Sequence, residues 1–195
     1  MRKTALYALT AAGFLGACST HQVPMTYSPS AVQRPMSTKQ NVDVLSVTDS
    51  RKYTGKHLGA IRGGYGNVLK TIEASGPVKD VVRKAFEDAL NARGLLAAAN
   101  DGSYGLDIMV EKLDCSQLVR KEAHARFRVT VLDKNTGQPV YSKVSTDNRE
   151  DMGNPFATGV FGSVEELTKL ANDSMQAAID EALDTPAFLT VVGAR

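Results

Sequence analysis

Alternating apolar and polar residues predict three consecutive strands in the second half of the chain, over residues 106–111, 123–131 and 140–145. This period-two alternation is typical of an antiparallel sheet with one buried and one solvent-facing side. In the third strand we expect Val140 and Val144 to face the core. Tyr141, Lys143 and Ser145 would then face solvent.

The polar side of these strands is a candidate binding surface. Arg126 and Arg128 are two residues apart, so they project from the same side of one strand. We expect Tyr141 and Lys143 of the next strand to join them. Arg and Tyr are enriched at binding hot spots, so these four residues form a predicted partner face. The alternative is the ordinary solvated face of an antiparallel sheet.

Two stretches have apolar residues at helical spacing. The first covers residues 78–90, and the second covers 164–183. Ser163 and Glu166 have the spacing of a capping box at the start of the second helix. We expect that helix to end before Pro186.

Two more strands are predicted earlier in the chain, over residues 42–47 and 68–74. The segment between them, 48–67, is rich in glycine and basic residues and is predicted to be a loop. The order of elements is therefore β-β-α-β-β-β-α. Two amphipathic helices and a sheet with one apolar face can bury one another. The expected fold class is α+β, a two-layer sandwich with a mainly antiparallel sheet and two helices on one face.

Residues 1–17 have the pattern of an export signal. Two basic residues precede an uncharged apolar stretch that is too short to span a bilayer as a helix. The stretch ends in Leu-Gly-Ala-Cys, which resembles the lipobox of bacterial lipoproteins. The resemblance implies cleavage between Ala17 and Cys18, a diacylglycerol on the Cys18 thiol, and acylation of the new amine. The alternatives are an ordinary signal peptide or a buried helix that ends in cysteine.

The segment after the signal is predicted to be a flexible tether. Residues 18–40 hold three of the seven prolines, many Ser and Thr residues, and no acidic residue. The remaining residues, 41–195, are sufficient for one domain with a real core, which we predict to be periplasmic.

Composition excludes several classes of function. The formal net charge of +2 falls to zero once Arg2 and Lys3 are removed with the signal, which argues against a nucleic-acid partner. The chain has two cysteines, so Cys115 has no partner for a disulfide if Cys18 is acylated.

No motif predicts a metal or a cofactor. The three histidines are far apart in the sequence, and neither His-Glu-x-x-His nor Cys-x-x-Cys occurs. Residues 63–67, GGYGN, lack the Lys-Ser/Thr of a phosphate-binding loop and precede a predicted strand, so we expect a turn there. Neither a nucleophile elbow nor a calcium loop is present.

Four motifs together are similar to the YajG-type outer-membrane lipoproteins. They are VTDSR (47–51), ALNARGL (89–95), GLDIMVEKLD (105–114) and VFGSVEELTKLANDSMQAAIDEAL (160–183). The resemblance implies a lipobox, a tether and one domain with this order of elements. Members are largely of unknown function, so it supplies location and fold rather than an activity.

The sequence as a whole favours a non-enzymatic lipoprotein that is a structural or accessory binding module of the Gram-negative envelope. Its expected partners are the membrane, through the lipid anchor, and an envelope protein. Ser19 is not the Asp that retains many lipoproteins at the inner membrane, so the resemblance implies the periplasmic face of the outer membrane. An accessory to lipid or lipopolysaccharide transport is the alternative, and it would require a large apolar groove between helices and sheet. A periplasmic hydrolase would need a nucleophile–base pair that the sequence does not offer.

Overall fold

Seven strands form one mixed sheet in the described part of the chain, and helices cover one of its faces. The computed structural model describes residues 19–29, 40–98, 101–152 and 162–193. The strands are β1 (Ser19–Val23), β2 (Val42–Asp49), β3 (His57–Arg62), β4 (Val68–Ala74), β5 (Tyr104–Gln117), β6 (Lys121–Asp133) and β7 (Pro139–Asp151). The helices are α1 (Val78–Ala92), α2 (Val164–Leu183) and α3 (Pro186–Val191). The α+β class is confirmed.

The core lies between the helices and the sheet. Phe86 of α1 and Phe127 of β6 are both fully buried and meet edge to face, with ring centroids 5.6 Å apart. Ser163 caps α2, since its hydroxyl accepts a hydrogen bond from the Glu166 amide at 3.1 Å. The apolar stripes read from the sequence therefore do face the sheet.

The expectation of a mainly antiparallel sheet is met only in part, because the sheet is mixed. The strand order is β1-β4-β3-β5-β6-β7, and β2 also pairs with β5. Three pairings are parallel, namely β1 with β4, β2 with β5, and β3 with β5. Alternation along a strand reports which side is buried, but it carries no information about the direction of the neighbouring strand.

The predicted loop over residues 48–67 contains β3. This strand lies beside β5, and Gly59 is what lets the two backbones approach, because a Cβ at this position would lie 1.7 Å from the Cys115 carbonyl oxygen. The glycine that the packing requires also hides the strand, because it breaks the apolar pattern. The expected turn at GGYGN is present and joins β3 to β4.

The tether prediction is wrong for residues 19–29. β1 pairs with β4 at the edge of the sheet, and Val23, Met25 and Tyr27 are buried in the core. The rest of the predicted tether, 30–39, lies outside the described residues. Pro186 does bound α2, but it then begins α3, whose Phe188 is fully buried.

One buried arginine joins three distant parts of the chain. Arg93, the residue after α1, is 1% exposed and bonds to Asp180 of α2, to Asp184 just after α2, and to the Tyr27 hydroxyl. Burial disfavours its charge, but these partners more than compensate and raise its pKa above the ordinary value. The ALNARGL motif therefore has a structural role.

Candidate functional site

Helices α1 and α2 leave the opposite side of the sheet uncovered, and we call this side the open face. Arg126 and Arg128 of β6 lie on it, and their side chains are about half exposed. Both contact the carboxylate of Glu111, at 2.7 and 2.8 Å. Glu111 occupies a bulge in β5, between Val110 and Lys112. The two arginines share one face as expected, and their binding role stays a prediction.

Tyr141 and Lys143 do not lie on the open face, so this part of the predicted partner face is wrong. The Tyr141 hydroxyl lies 2.9 Å from the hydroxyl of Thr185, just before α3. The Lys143 ammonium donates to the Glu181 carbonyl of α2 at 3.1 Å and pairs with its carboxylate at 3.0 Å. These two residues anchor helices to the sheet.

The buried and exposed sides of β7 are the reverse of those predicted, and the cause is simple. Ser145 is fully buried opposite Phe127, and Val140 is 43% exposed, so the odd-numbered residues face the helices. Val140 and Val144 alone were too weak a signal to predict which side of β7 is buried. Tyr and Lys have apolar bodies with polar tips, which allows them to cover a core while their tips bond to a helix.

Arg51 fills the gap between β2 and β3 in the sheet, beside the open face. β2 and β3 lie along the same side of β5, one after the other. Arg51 stands in the connection between them, where it pairs with Asp49 and donates to the carbonyls of His57 and Leu113 at 2.7 and 2.8 Å. These hydrogen bonds satisfy the His57 and Leu113 carbonyls where the pairing along β5 is interrupted between β2 and β3. It also lowers the pKa of Asp49, since the bonds to Arg51 outweigh the opposing effect of burial.

A cleft of about 400 Å³ opens between this connection and β5. Its lining includes three cationic side chains, Lys52, Arg62 and Lys112. The carboxylates of Glu111 and Asp114 line it as well, but both contact other residues, Glu111 the arginine pair and Asp114 the His124 ring. Arg62 donates to the Gly66 carbonyl, and Lys52 lies 5.3 Å from the centre of the Tyr53 ring. Within the described ranges, none of the three has a carboxylate at ion-pair distance. The cleft can therefore attract an anionic group.

Cys115, His124 and Asp114 are close in the sheet but do not form a catalytic triad. His124 Nδ1 is 2.8 Å from Asp114, while Cys115 pairs with Ala123 and belongs to the core beneath. Because neighbouring residues in a strand point to opposite sides, the backbone separates the thiol from the imidazole. Burial, together with the charge of Asp114, raises the pKa of the Cys115 thiol to about 12, so it is a poor nucleophile near neutral pH.

Other chemistry predicted from the sequence can be located only in part. Cys18 and Ala17 lie outside the described residues, which begin at Ser19 in β1. In the part of the chain that the structure covers, no group of three His, Cys, Asp or Glu side chains is arranged to hold a metal ion. None of the helices described is both long and apolar enough to cross a membrane.

Sequence reasoning missed the cleft because it missed β3. The signal that could have revealed it is the run of Leu58, Ala60 and Ile61 around Gly59. The VTDSR motif contains Arg51, but its sequence does not indicate that this arginine bridges two strands of one sheet.

The chain belongs to a family of uncharacterised lipoproteins, whose model matches residues 29–185. A search of curated proteins found no match. Among solved structures, a protein from Xanthomonas campestris is similar, with a TM-score of 0.64 and 14% identity over 89% of this chain and 96% of that one. An uncharacterised protein matches with a TM-score of 0.51 and 8% identity, over 85% and 97% of the two chains. The lipoprotein GNA1162 from Neisseria meningitidis has a TM-score of 0.31 and 11% identity, over 74% and 99%. At 14% and 8% identity, the likeness to the first two structures concerns the fold alone.

Proposed function

We propose that this lipoprotein is a non-enzymatic binding module of the Gram-negative envelope, anchored by an acylated Cys18 and docking an anionic partner protein on its open face. One observation carries the proposal. The cleft on the open face holds three cations without carboxylate partners, beside an arginine pair already neutralised in part by Glu111. Concave surfaces with uncompensated charge favour partners of opposite charge.

The anchor is supported by the Leu-Gly-Ala-Cys sequence and by membership of a lipoprotein family. We place the protein at the outer membrane, facing the periplasm, since Ser19 follows Cys18. Replacing Cys18 by Ala should leave an unprocessed precursor that incorporates no palmitate. Mature-sized protein in this variant would refute the anchor.

The alternative role in lipid transport requires an apolar groove between helices and sheet. That space is filled here by core side chains such as Phe86, Ile108 and Met175, which are fully buried. The cleft on the open face is lined by both polar and apolar groups instead. We therefore retain the binding-module proposal.

Site-specific crosslinking tests the open face. A photoreactive residue in place of Met109, which is exposed on this face, should capture one defined protein in cells. The same residue in place of Lys84, exposed on α1, is the matched control and should not capture it. Replacing Lys52 and Lys112 by Glu should abolish the Met109 adduct without lowering protein abundance.

These two lysines are a cleaner test than the arginines, because Arg126 and Arg128 both pair with Glu111 and reversing either would break that contact. An adduct of unchanged intensity in the double lysine variant would refute the cleft as the docking site. If the Lys84 position captured the same protein, the helix side rather than the open face would be the docking surface.

A further inference from the structure

Exposed apolar side chains gather at one end of the sheet. Tyr65 lies in the β3–β4 turn and is fully exposed, Leu118 and Val119 form the β5–β6 turn, and Met152 follows β7. The described residues include eight large exposed apolar side chains, and these four are half of them. We call Tyr65, Leu118, Val119 and Met152 the apolar end.

Ser19, the first residue of β1, lies at this same end. The strand register links one row of residues across the sheet, from the start of β1 to the end of β7. The row is Ser19, Lys70, Ile61, Gln117, Lys121 and Asp151. Ser19 therefore starts its strand where β3 and β5 end in their turns.

This register places the lipid anchor. Cys18 directly precedes Ser19, and consecutive Cα atoms are about 3.8 Å apart. No spacer separates an acylated Cys18 from the folded sheet, in contrast to the tether that the sequence suggested. The acyl chains must then leave the domain at the apolar end.

We propose that the apolar end rests on the phospholipid bilayer, with Tyr65, Val119 and Met152 in the boundary between headgroups and acyl chains. The proposal rests on the proposed acylation of Cys18. Tyrosine suits this depth because its ring is apolar and its hydroxyl reaches water. The strands then run away from the membrane, which leaves the open face accessible to a partner.

The contact is apolar rather than electrostatic. Arg120, which follows Val119 in the β5–β6 turn, pairs with Glu122 and Glu150, and Lys121 pairs with Asp151 and Glu166. These charges are balanced locally, but Arg62 at the end of β3 lies at the same end without a carboxylate partner among the described residues. Contact should therefore persist on pure phosphatidylcholine vesicles, and added phosphatidylglycerol should strengthen it only modestly.

The chain contains no tryptophan, so a single Trp can report depth. Val119→Trp and Tyr65→Trp are made in the full-length protein, purified in its acylated form and reconstituted into phosphatidylcholine vesicles with brominated acyl chains. Asn135→Trp, in the β6–β7 turn at the other end of the sheet, is the matched control. Unchanged thermal unfolding shows that each variant is folded.

Val119→Trp and Tyr65→Trp should lose roughly half of their fluorescence or more, because interfacial side chains reach about 5–10 Å into this boundary. Their emission maxima should also shift to the blue. Asn135→Trp should keep its fluorescence. Equal emission from all three in acylated, vesicle-bound protein would overturn this inference and leave the anchor intact. If mass spectrometry shows no acyl chains on Cys18 and the protein does not float with vesicles, the proposed anchor and this inference both fail.

Discussion

Arg93 and Asp184 form a paired contact between the residue that follows α1 and the residue that follows α2. Arg93 Nε lies 2.7 Å from one carboxylate oxygen of Asp184, and Nη2 lies 2.9 Å from the other. The arginine is 1% exposed, whereas the Asp184 side chain is 40% exposed. The pair therefore closes the edge of the core with its carboxylate turned to solvent.

Replacing Arg93 by Met should destabilise the protein by about 1.5–3 kcal/mol, because Asp180 and Asp184 lose their counter-ion and Tyr27 loses a donor, while both carboxylates stay in contact with water. Urea unfolding measures the change. Arg120→Met is the control, since this arginine is exposed and should leave the denaturation midpoint almost unchanged. A midpoint for Arg93→Met equal to the control would show that the cluster contributes no stability.

Stability should fall as the pH rises from 10 to 12. Burial, followed by the hydrogen bond to Asp180, raises the pKa of Tyr27 from 10.0 to about 12. Below pH 10 both states keep the proton. Between these values the unfolded state loses it first, so unfolding becomes easier by up to about 2–3 kcal/mol. Tyr27→Phe should show a shallower decline in urea melts across this range. The raised pKa of Cys115 contributes to both proteins and cancels, so identical slopes would contradict the prediction.

Removing residues 19–40 should weaken the fold. Three side chains in this segment, Val23, Met25 and Tyr27, are buried, and each stabilises by about 1.5–3 kcal/mol, so the loss is on the order of 5 kcal/mol. Two soluble proteins, one beginning at Ser19 and one at Asn41, are compared by thermal unfolding. Equal melting temperatures would restore the tether interpretation.

Gly59→Ala should destabilise by about 3 kcal/mol or more, because the added Cβ would overlap the Cys115 carbonyl of the neighbouring strand. Gly64→Ala is the matched control. Nothing lies within 4 Å of a Cβ at that position, so the change should stay within about 0.5 kcal/mol. Chemical denaturation of the two variants gives the comparison, and similar losses in both would mean that β3 does not approach β5 so closely.

The Cys115 thiol should resist modification in the folded protein. It is 2% exposed, and burial raises its pKa to about 12, so little thiolate is available at pH 8. In protein beginning at Ser19, a chromogenic disulfide reagent should react only after denaturant is added. Rapid reaction without denaturant would show that this part of the core opens readily.

The sequence by itself determined both long helices and the strands of the β5–β6–β7 meander. Each is a local pattern, and the caps and periodicities that define it lie within a few residues of one another. For this reason Ser163 was identified as the helix cap, and Arg126 and Arg128 were placed on one face.

Tertiary structure alone decided which strands are neighbours, which side of β7 is covered, and what residues 19–29 do. These outcomes depend on partners far away in the chain. Tyr27 is buried because its hydroxyl donates to Asp180 and accepts from Arg93. Lys143 faces the helices because its ammonium donates to Glu181. Polar side chains at buried positions leave no apolar period to detect, so only the folded arrangement shows that their polar groups are satisfied.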